Sequence, residues 1–277
     1  MGQYFQKNGA ILLKGESEFY WNKLLSSEED FLTNLNHKRI IEIPGKWNNQ
    51  FIDGKYLPTY GYATYRIFLK LPSAEKKRYS LKIRDQAHAY KLFIDGKFIK
   101  EWGKVGTDFQ TTKPEMQPDI ISFENKSETL EIVFQVANFH HRVSGLRYRI
   151  WFGEEDQISK LHQKYLIIDS FLFGGIFLIS VYYFVIYNFR SKSLSSLYFA
   201  FFCLSVLAYV MGTEERTIFY FLGDFINWDW KYKFEFIWLS LIPCFLVLFF
   251  YYLFPFYKES FLKFVIPIHL VVSFLFI

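Results

Sequence analysis

The run LIIDSFLFGGIFLISVYYFVIYNF, residues Leu166–Phe189, decides the architecture of this chain. It is interrupted only by Asp169 near its start and Asn188 near its end. A helix rises about 1.5 Å per residue, so the run is long enough to cross the roughly 30 Å hydrocarbon core of a bilayer. A buried helix of a soluble protein with this length needs a polar face, and this run has none. Three more apolar runs follow at Leu194–Met211, Phe236–Phe254 and Phe261–Ile277, each near the minimum for a span. The sequence therefore predicts four membrane helices within residues 164–277.

Outward from that run, charge separates the chain into two bodies. Residues 1–163 hold 24 of the 32 Lys and Arg and 20 of the 27 Asp and Glu, leaving eight and seven for the rest. Such a split excludes a single soluble globule, a disordered chain and a disulfide-stapled mini-protein. The net charge of +5 is dispersed, so no nucleic-acid partner is expected. The short links set an orientation. Arg190 and Lys192 lie in the first link and Lys258 and Lys263 in the third, whereas residues 212–235 carry five acids against three bases. Positive short loops face the cytoplasm, which places residues 1–163 outside and predicts a multi-pass protein of a bacterial inner membrane. Trp228, Trp230, Tyr232 and Trp238 suit an interfacial aromatic belt. Met1–Lys14 shows no basic segment followed by an apolar core, and the chain ends inside an apolar run. Both features predict a longer parent chain with a signal peptide before and further segments after.

The outer body reads as β structure over residues 35–153. Ile40–Ile43, Tyr62–Leu71, Tyr79–Arg84, Ile120–Phe123, Leu130–Val136 and Leu146–Phe152 are short apolar or alternating runs. Tyr90–Ile94 and Phe98–Trp102 flank Asp95-Gly96, the signature of a type I′ hairpin turn, which needs positive φ at both central positions. Eight closely spaced strands without helical periodicity favour a β-sandwich over a βαβ sheet. Residues 1–34 read as a lead-in, helical or irregular over 16–36, and residues 154–163 as a linker. Cys203 and Cys244 fall in the membrane helices, so the outer body has neither a disulfide nor a thiolate metal site.

Several patterns taken in order carry a resemblance. Pro44-Gly45-Lys46-Trp47 precedes Gly61-Tyr62-Ala63-Thr64-Tyr65-Arg66. Ala89-Tyr90-Lys91-Leu92-Phe93-Ile94-Asp95-Gly96 comes next, and Val136-Ala137-Asn138-Phe139-His140-His141-Arg142 closes the series. This order resembles the galactose-binding-like jelly-roll domains of glycosidases and, more closely, the outer domains of bacterial seven-transmembrane receptors with diverse intracellular signalling modules. The resemblance covers residues 35–277. It implies an all-β jelly-roll extracytoplasmic domain followed by a partial α-helical transmembrane bundle, four helices instead of seven, with the output module lying outside this chain. It also implies a small, carbohydrate-like ligand.

Sugars are held by an aromatic platform and a few convergent polar groups. Trp47 and Trp102 stand beside turns at strand ends and are candidates for that platform, although the same positions suit core packing. Asn138, His140 and Arg142 form the densest polar cluster, with ligand contact and loop-backbone bonding as its two readings. Asp85, between Arg84 and His88, resembles a loop of the family's outer domain; it is a candidate for a ligand hydroxyl, for pairing with Arg84 or for capping the turn. His140 and His141 are adjacent, and neighbours on a strand point to opposite faces, so no metal site is expected from them. No spacing singles out a pair of carboxylates and no nucleophile motif occurs, so neither enzymatic activity nor a cofactor is predicted. Within the membrane, Asp169 and His269 are the ionisable residues whose cost in lipid asks for a reason. The expected function is the sensor and membrane portion of a signalling receptor, with a homodimer or a C-terminal signalling module as partner. The alternative is a membrane-anchored protein-interaction module.

Overall fold

The structure, a computed structural model, describes residues 9–71, 76–189, 192–213, 215–222 and 226–254. It comprises two compact units, Met1–His162 and Gln163–Ile277. The first is built of strands β1 (Ile11–Leu12), β2 (Gly15–Trp21), β3 (Lys38–Ile43), β4 (Phe51–Ile52), β5 (Lys55–Tyr56), β6 (Gly61–Lys70), β7 (Lys77–Ile83), β8 (Ala89–Ile94), β9 (Lys97–Trp102), β10 (Asp119–Asn125), β11 (Thr129–Asn138) and β12 (Ile150–Glu154). Helix α1 (Glu28–Thr33) lies between β2 and β3.

Two antiparallel sheets face each other, one ordered β3-β2-β6-β11-β8-β9 and the other β1-β12-β7-β10. Alternation on each strand supplies the shared core. Phe19, Tyr65, Ile67, Leu92, Phe134 and Val136 come from the larger sheet, and Tyr79, Leu81, Ile83, Ile150 and Phe152 from the smaller. Asp95 (φ 47°) and Gly96 (φ 71°) form the expected turn between β8 and β9. Asp95 Oδ1 also accepts from the Glu131 amide at 2.9 Å, fixing the turn to β11.

The lead-in expectation is corrected here. Residues 15–21 are not a tail but strand β2, inserted between β3 and β6. Tyr20 faces away from the sandwich core and packs with Leu25, Phe31 and Val133, so α1 and its approach cover the second face of the larger sheet. Helix α1 starts in a capping box: the Asp30 amide donates to Ser27 Oγ at 3.2 Å, and the Ser27 amide donates to Asp30 Oδ2 at 3.0 Å. Beneath this cover Arg66, 8% exposed, pairs with Glu28 and Glu131, lies 3.8 Å from Glu18 and sits 4.1 Å over the Phe31 ring.

Residues 154–163 are likewise not a linker. Helix α2 (Glu155–Phe189) begins directly after β12, and its first two turns belong to the β unit. Ile158 is fully buried, Lys82 Nζ lies 3.3 Å from His162 Nδ1, and Arg78 Nε meets Glu155 Oε2 at 3.1 Å.

The second unit contains the remainder of α2 with α3 (Leu194–Gly212), α4 (Thr217–Leu222) and α5 (Trp228–Leu253). Among the described residues, three helices are long and apolar enough to cross a membrane: α2, α3 and α5. The third starts eight residues earlier than Phe236 because Asn227 caps it, accepting from the Trp230 amide at 3.1 Å. The fourth expected span, 261–277, and with it His269, lies outside the described residues. Aromatic pairs stitch the helices: Tyr183–Phe199 (4.4 Å) and Phe184–Phe201 (5.4 Å) join α2 to α3, while Phe201–Phe245 (5.3 Å), Phe199–Phe249 (4.9 Å) and Tyr198–Tyr252 (5.2 Å) join α3 to α5. In the second set the numbers fall on α5 as they rise on α3, so these two helices run antiparallel. Arg216, 4% exposed, donates to the Gly212 carbonyl at 2.9 Å and reaches Glu235 at 3.4 Å, which neutralises a guanidinium at the end of α3.

Removing a charge from a buried network strands its partners, whereas removing an exposed one does not. Arg66→Ala is therefore expected to cost the β unit about 3 kcal/mol. Glu28→Ala, whose carboxylate is 65% exposed, is expected to cost under about 1 kcal/mol. Urea unfolding of the detergent-solubilised chain, followed by tryptophan fluorescence, measures both; equal losses contradict this account.

Candidate functional site at the loop end of the sandwich

The strand order brings four long connections to one end of the β unit. Residues 44–60 lead into the start of β6, 84–88 join β7 to β8, 103–118 join β9 to β10, and 139–149 join β11 to β12. The registers Asn138↔Gly61, Ala137↔Ala89, Tyr90↔Trp102 and Ile150↔Ile83 show that these crossings meet at the same sheet ends. All six residues singled out in the sequence, Trp47, Asp85, Trp102, Asn138, His140 and Arg142, sit there.

Their roles divide. Trp47 and Trp102 are 0% and 2% exposed, so the expected surface platform is not theirs. Trp47 Nε1 donates to the Pro58 carbonyl at 3.0 Å, and its ring lies edge-on to Trp21 at 5.3 Å and 6.5 Å from the ring of His88. Gly145 (φ +88°) allows this closure: a Cβ there would lie 2.6 Å from the Gly45 carbonyl oxygen and 2.9 Å from the Trp47 amide. Trp102 stacks on Tyr90 at 4.5 Å. Both tryptophans are thus interior wedges between the sheets.

Asn138 is fully buried and fully committed. Its Nδ2 donates to the carbonyls of Thr59 (3.1 Å) and His141 (2.8 Å), and its Oδ1 accepts from the His141 amide at 3.0 Å. These bonds hold loops 44–60 and 139–149 together, which is the backbone-bonding reading of this residue. Asp85 is 1% exposed, close enough to Tyr90 and His141 to influence both. Its loop is anchored by Gln86, whose Oε1 accepts from the amides of Arg147 (3.1 Å) and Tyr148 (3.2 Å). Ala87 takes φ +62° while buried, a conformation that costs a non-glycine residue energy and that the surroundings must enforce. Tyr148 lies between two guanidinium groups, Arg84 at 4.6 Å and Arg147 at 4.3 Å.

The solvent-facing rim adds two residues that sequence reasoning passed over, Phe109 and Tyr60, to His140 and Arg142. Phe109, 62% exposed, stacks on His140 at 4.2 Å, and Tyr60 is 54% exposed beside Thr59. Asp108 positions Phe109 by accepting from the amides of Thr111 (2.8 Å) and Gln110 (2.9 Å), bonds that hold its carboxyl below the usual range. Arg142 is exposed on the adjoining loop. His140 therefore faces an aromatic ring at the rim, while His141 is buried at 5% exposed. Nothing in the sequence distinguished Phe109 or Tyr60 from the other aromatic residues; an aromatic next to an Asp-initiated turn was the available hint.

No family model matches the chain, and no curated protein matches it. Among solved structures it is similar to a GH2 β-galacturonidase from Eisenbergiella tayi, at 13% identity over 52% of this chain and 24% of that one, with a TM-score of 0.36. It is also similar to a β-glucuronidase from Ruminococcus gnavus, at 14% identity over 52% of this chain and 28% of that one, with a TM-score of 0.38. The chain spans under a third of the length of these enzymes, and likeness of this degree carries no argument about function.

Two buried histidines give the site a pH signature. Burial first, and then the nearby Arg147, push His141 from its ordinary 6.5 down to about 4, and the same two causes lower His88 well below its ordinary value. The unfolded chain takes up these protons near pH 6.5 and the folded chain does not until far lower. Stability is therefore expected to fall as pH drops from about 6.5 to 4, by about 3 kcal/mol for His141 alone. His141→Gln flattens part of this slope in a thermal-midpoint series across that range; an unchanged slope contradicts the assignment.

Proposed function

We propose that this chain is the sensor and membrane portion of a bacterial transmembrane signalling receptor. In this reading the β unit is an extracytoplasmic, galactose-binding-like jelly roll that binds a small carbohydrate-like ligand at its loop end and has no catalytic role. The single observation that carries the reading is the convergence of four connections at one end of a sandwich whose chain continues directly into an apolar, membrane-length helix. Sensor loops need a scaffold that fixes their ends, and here each loop is anchored at both sides by paired strands. The order of motifs from Pro44 to Arg142 that resembles the seven-helix receptor family supports the same reading. The exposed ring of Phe109 offers an apolar face for sugar C–H groups, with His140 and Arg142 at hand for hydroxyls or a carboxylate. Ligand binding biases a receptor only if the ligand prefers one arrangement of the chain over another.

A second reading has one observation in its favour. The β4–β5 hairpin projects Phe51 (63% exposed) and Tyr56 (67% exposed), ring to ring at 5.2 Å, which suits a protein-interaction module.

Two measurements test the proposal. The chain in lipid nanodiscs, screened by thermal shift against neutral monosaccharides, uronic acids and short oligosaccharides, is expected to bind at least one class, with Phe109→Ala weakening it about fivefold. Binding of no panel member contradicts the sensor reading. For orientation, Cys203 and Cys244 are replaced by Ser and single cysteines introduced as Thr107→Cys and Ser193→Cys. In intact bacterial cells an impermeant thiol reagent is expected to label the first, and the second only after permeabilisation; reversed labelling contradicts the outward placement.

A further inference from the structure

The loop end of the sandwich carries the whole charge excess of the β unit. Its four connections hold eight Lys and Arg against four Asp and Glu, whereas the remainder of residues 1–163 holds sixteen of each. However the acids pair, bases exceed them by four at this end. The excess is concentrated further. Connections 84–88 and 139–149 supply Arg84, Arg142, Arg147 and Arg149 against one acid, Asp85, which is 1% exposed.

Two of these arginines are held in a fixed arrangement. The guanidinium carbons of Arg84 and Arg147 lie 4.6 Å and 4.3 Å from the centre of one ring, that of Tyr148, so a single small ligand can reach both. Stacking fixes the plane of a guanidinium and leaves its N–H edge to bond. One side chain locks the backbones beneath. Gln86, fully buried, donates from Nε2 to the Arg84 carbonyl at 2.8 Å, and its Oε1 accepts from the amides of Arg147 at 3.1 Å and Tyr148 at 3.2 Å. The three residues so tied together are half-buried, which leaves the stack open to solvent on one side. Arg147 Nη2 also lies 3.4 Å from His141 Nε2, and the adjacent His140 stacks on Phe109 at the rim. After burial, Arg147 is the next cause that lowers both His88 and His141, so these imidazoles stay neutral beside it at neutral pH.

Like charges gathered on a rigid scaffold repel one another, and an anion placed among them removes that repulsion. A planar guanidinium matches the oxygens of a carboxylate or phosphate two at a time, whereas an ammonium is driven off by the same field. We propose that Arg84, Arg147 and Tyr148 form an anion subsite at the loop end, which takes the carboxylate of a sugar acid or the phosphate of a sugar phosphate. The assignment rests on the sensor reading above and adds to it the charge of the ligand and the residues that hold the charged group.

The nanodisc-embedded chain tests it with glucose, glucuronate and glucose 6-phosphate as probes, read by calorimetry. At least one acid probe is expected to bind about tenfold or more tighter than glucose, and the stronger of the two tells carboxylate from phosphate. Arg84→Gln and Arg147→Gln are each expected to weaken that probe about tenfold, the loss of a charged hydrogen bond, and to leave glucose unchanged. Lys97→Gln removes an equal charge from an exposed position beside the β8–β9 turn and is expected to change nothing. A measurement on the parent chain is independent of how the variants fold: raising salt from about 0.05 to 0.5 M is expected to weaken the acid probe and spare glucose. If acid probes bind no tighter than glucose, if salt leaves them unaffected, or if Lys97→Gln weakens them as much as Arg147→Gln does, the anion subsite is overturned. Binding of glucose under any of those outcomes keeps the sensor reading, and failure of every neutral and acidic sugar overturns both.

Discussion

Strand β11 is hydrogen-bonded on both edges and buried on both faces, and every other part of the β unit answers to that condition. From Ile132 to Asn138 all seven residues are buried. One face, with Ile132, Phe134 and Val136, looks into the sandwich; the other, with Val133, would meet water unless something covered it. The segment after β2 supplies the cover through Leu25 and Phe31, and Gln135 Nε2 ties it down by donating to the Leu25 carbonyl at 3.1 Å. A strand sealed this way leaves its chemistry to its end, where Asn138 knits two loops.

The cover has an electrostatic cost that Arg66 answers. It lies on β6 next to Glu131 of β11 and beneath Glu28 of α1, with Glu18 of β2 close by and Lys38 pairing with Glu18 in turn. One guanidinium thus meets carboxylates from three separate elements and the ring faces of Phe31 and Phe68. A fork of five donors can serve several acceptors at once, which a lysine ammonium at the same place would do less well. Such a network fixes which strands are neighbours more than it adds stability.

Much of this was legible in the sequence because it is local. The Asp95-Gly96 turn, the alternation in β6 and β11 and the apolar length of α2, α3 and α5 all declare themselves within a window of residues. What was missed depends on distant partners. Glu16 and Glu18 make the segment GESEFYW look like a solvated lead-in, but Glu18 is matched by Arg66 and Lys38, so the segment is a strand. The polar start of α2 reads as a linker until Ile158 and His162 are seen packed with the β unit. At the loop end the sequence does not reveal depth: Trp47 and Trp102 are buried, and the loop over Trp47 closes through Gly145, which is far from it in sequence. Exposure of Phe109 follows from the Asp108 turn and could not be ranked against the chain's many other aromatic residues.

The outer strands of the sheets carry a further meaning. The larger sheet ends in β3, with Lys38, Arg39 and Glu42, and in β9, with Lys97, Lys100 and Glu101; the smaller ends in two-residue β1 and in β10, which opens on Asp119. Short or charged borders of this kind discourage the addition of a foreign strand. At high local concentration the β unit is thereby protected from sheet-to-sheet aggregation.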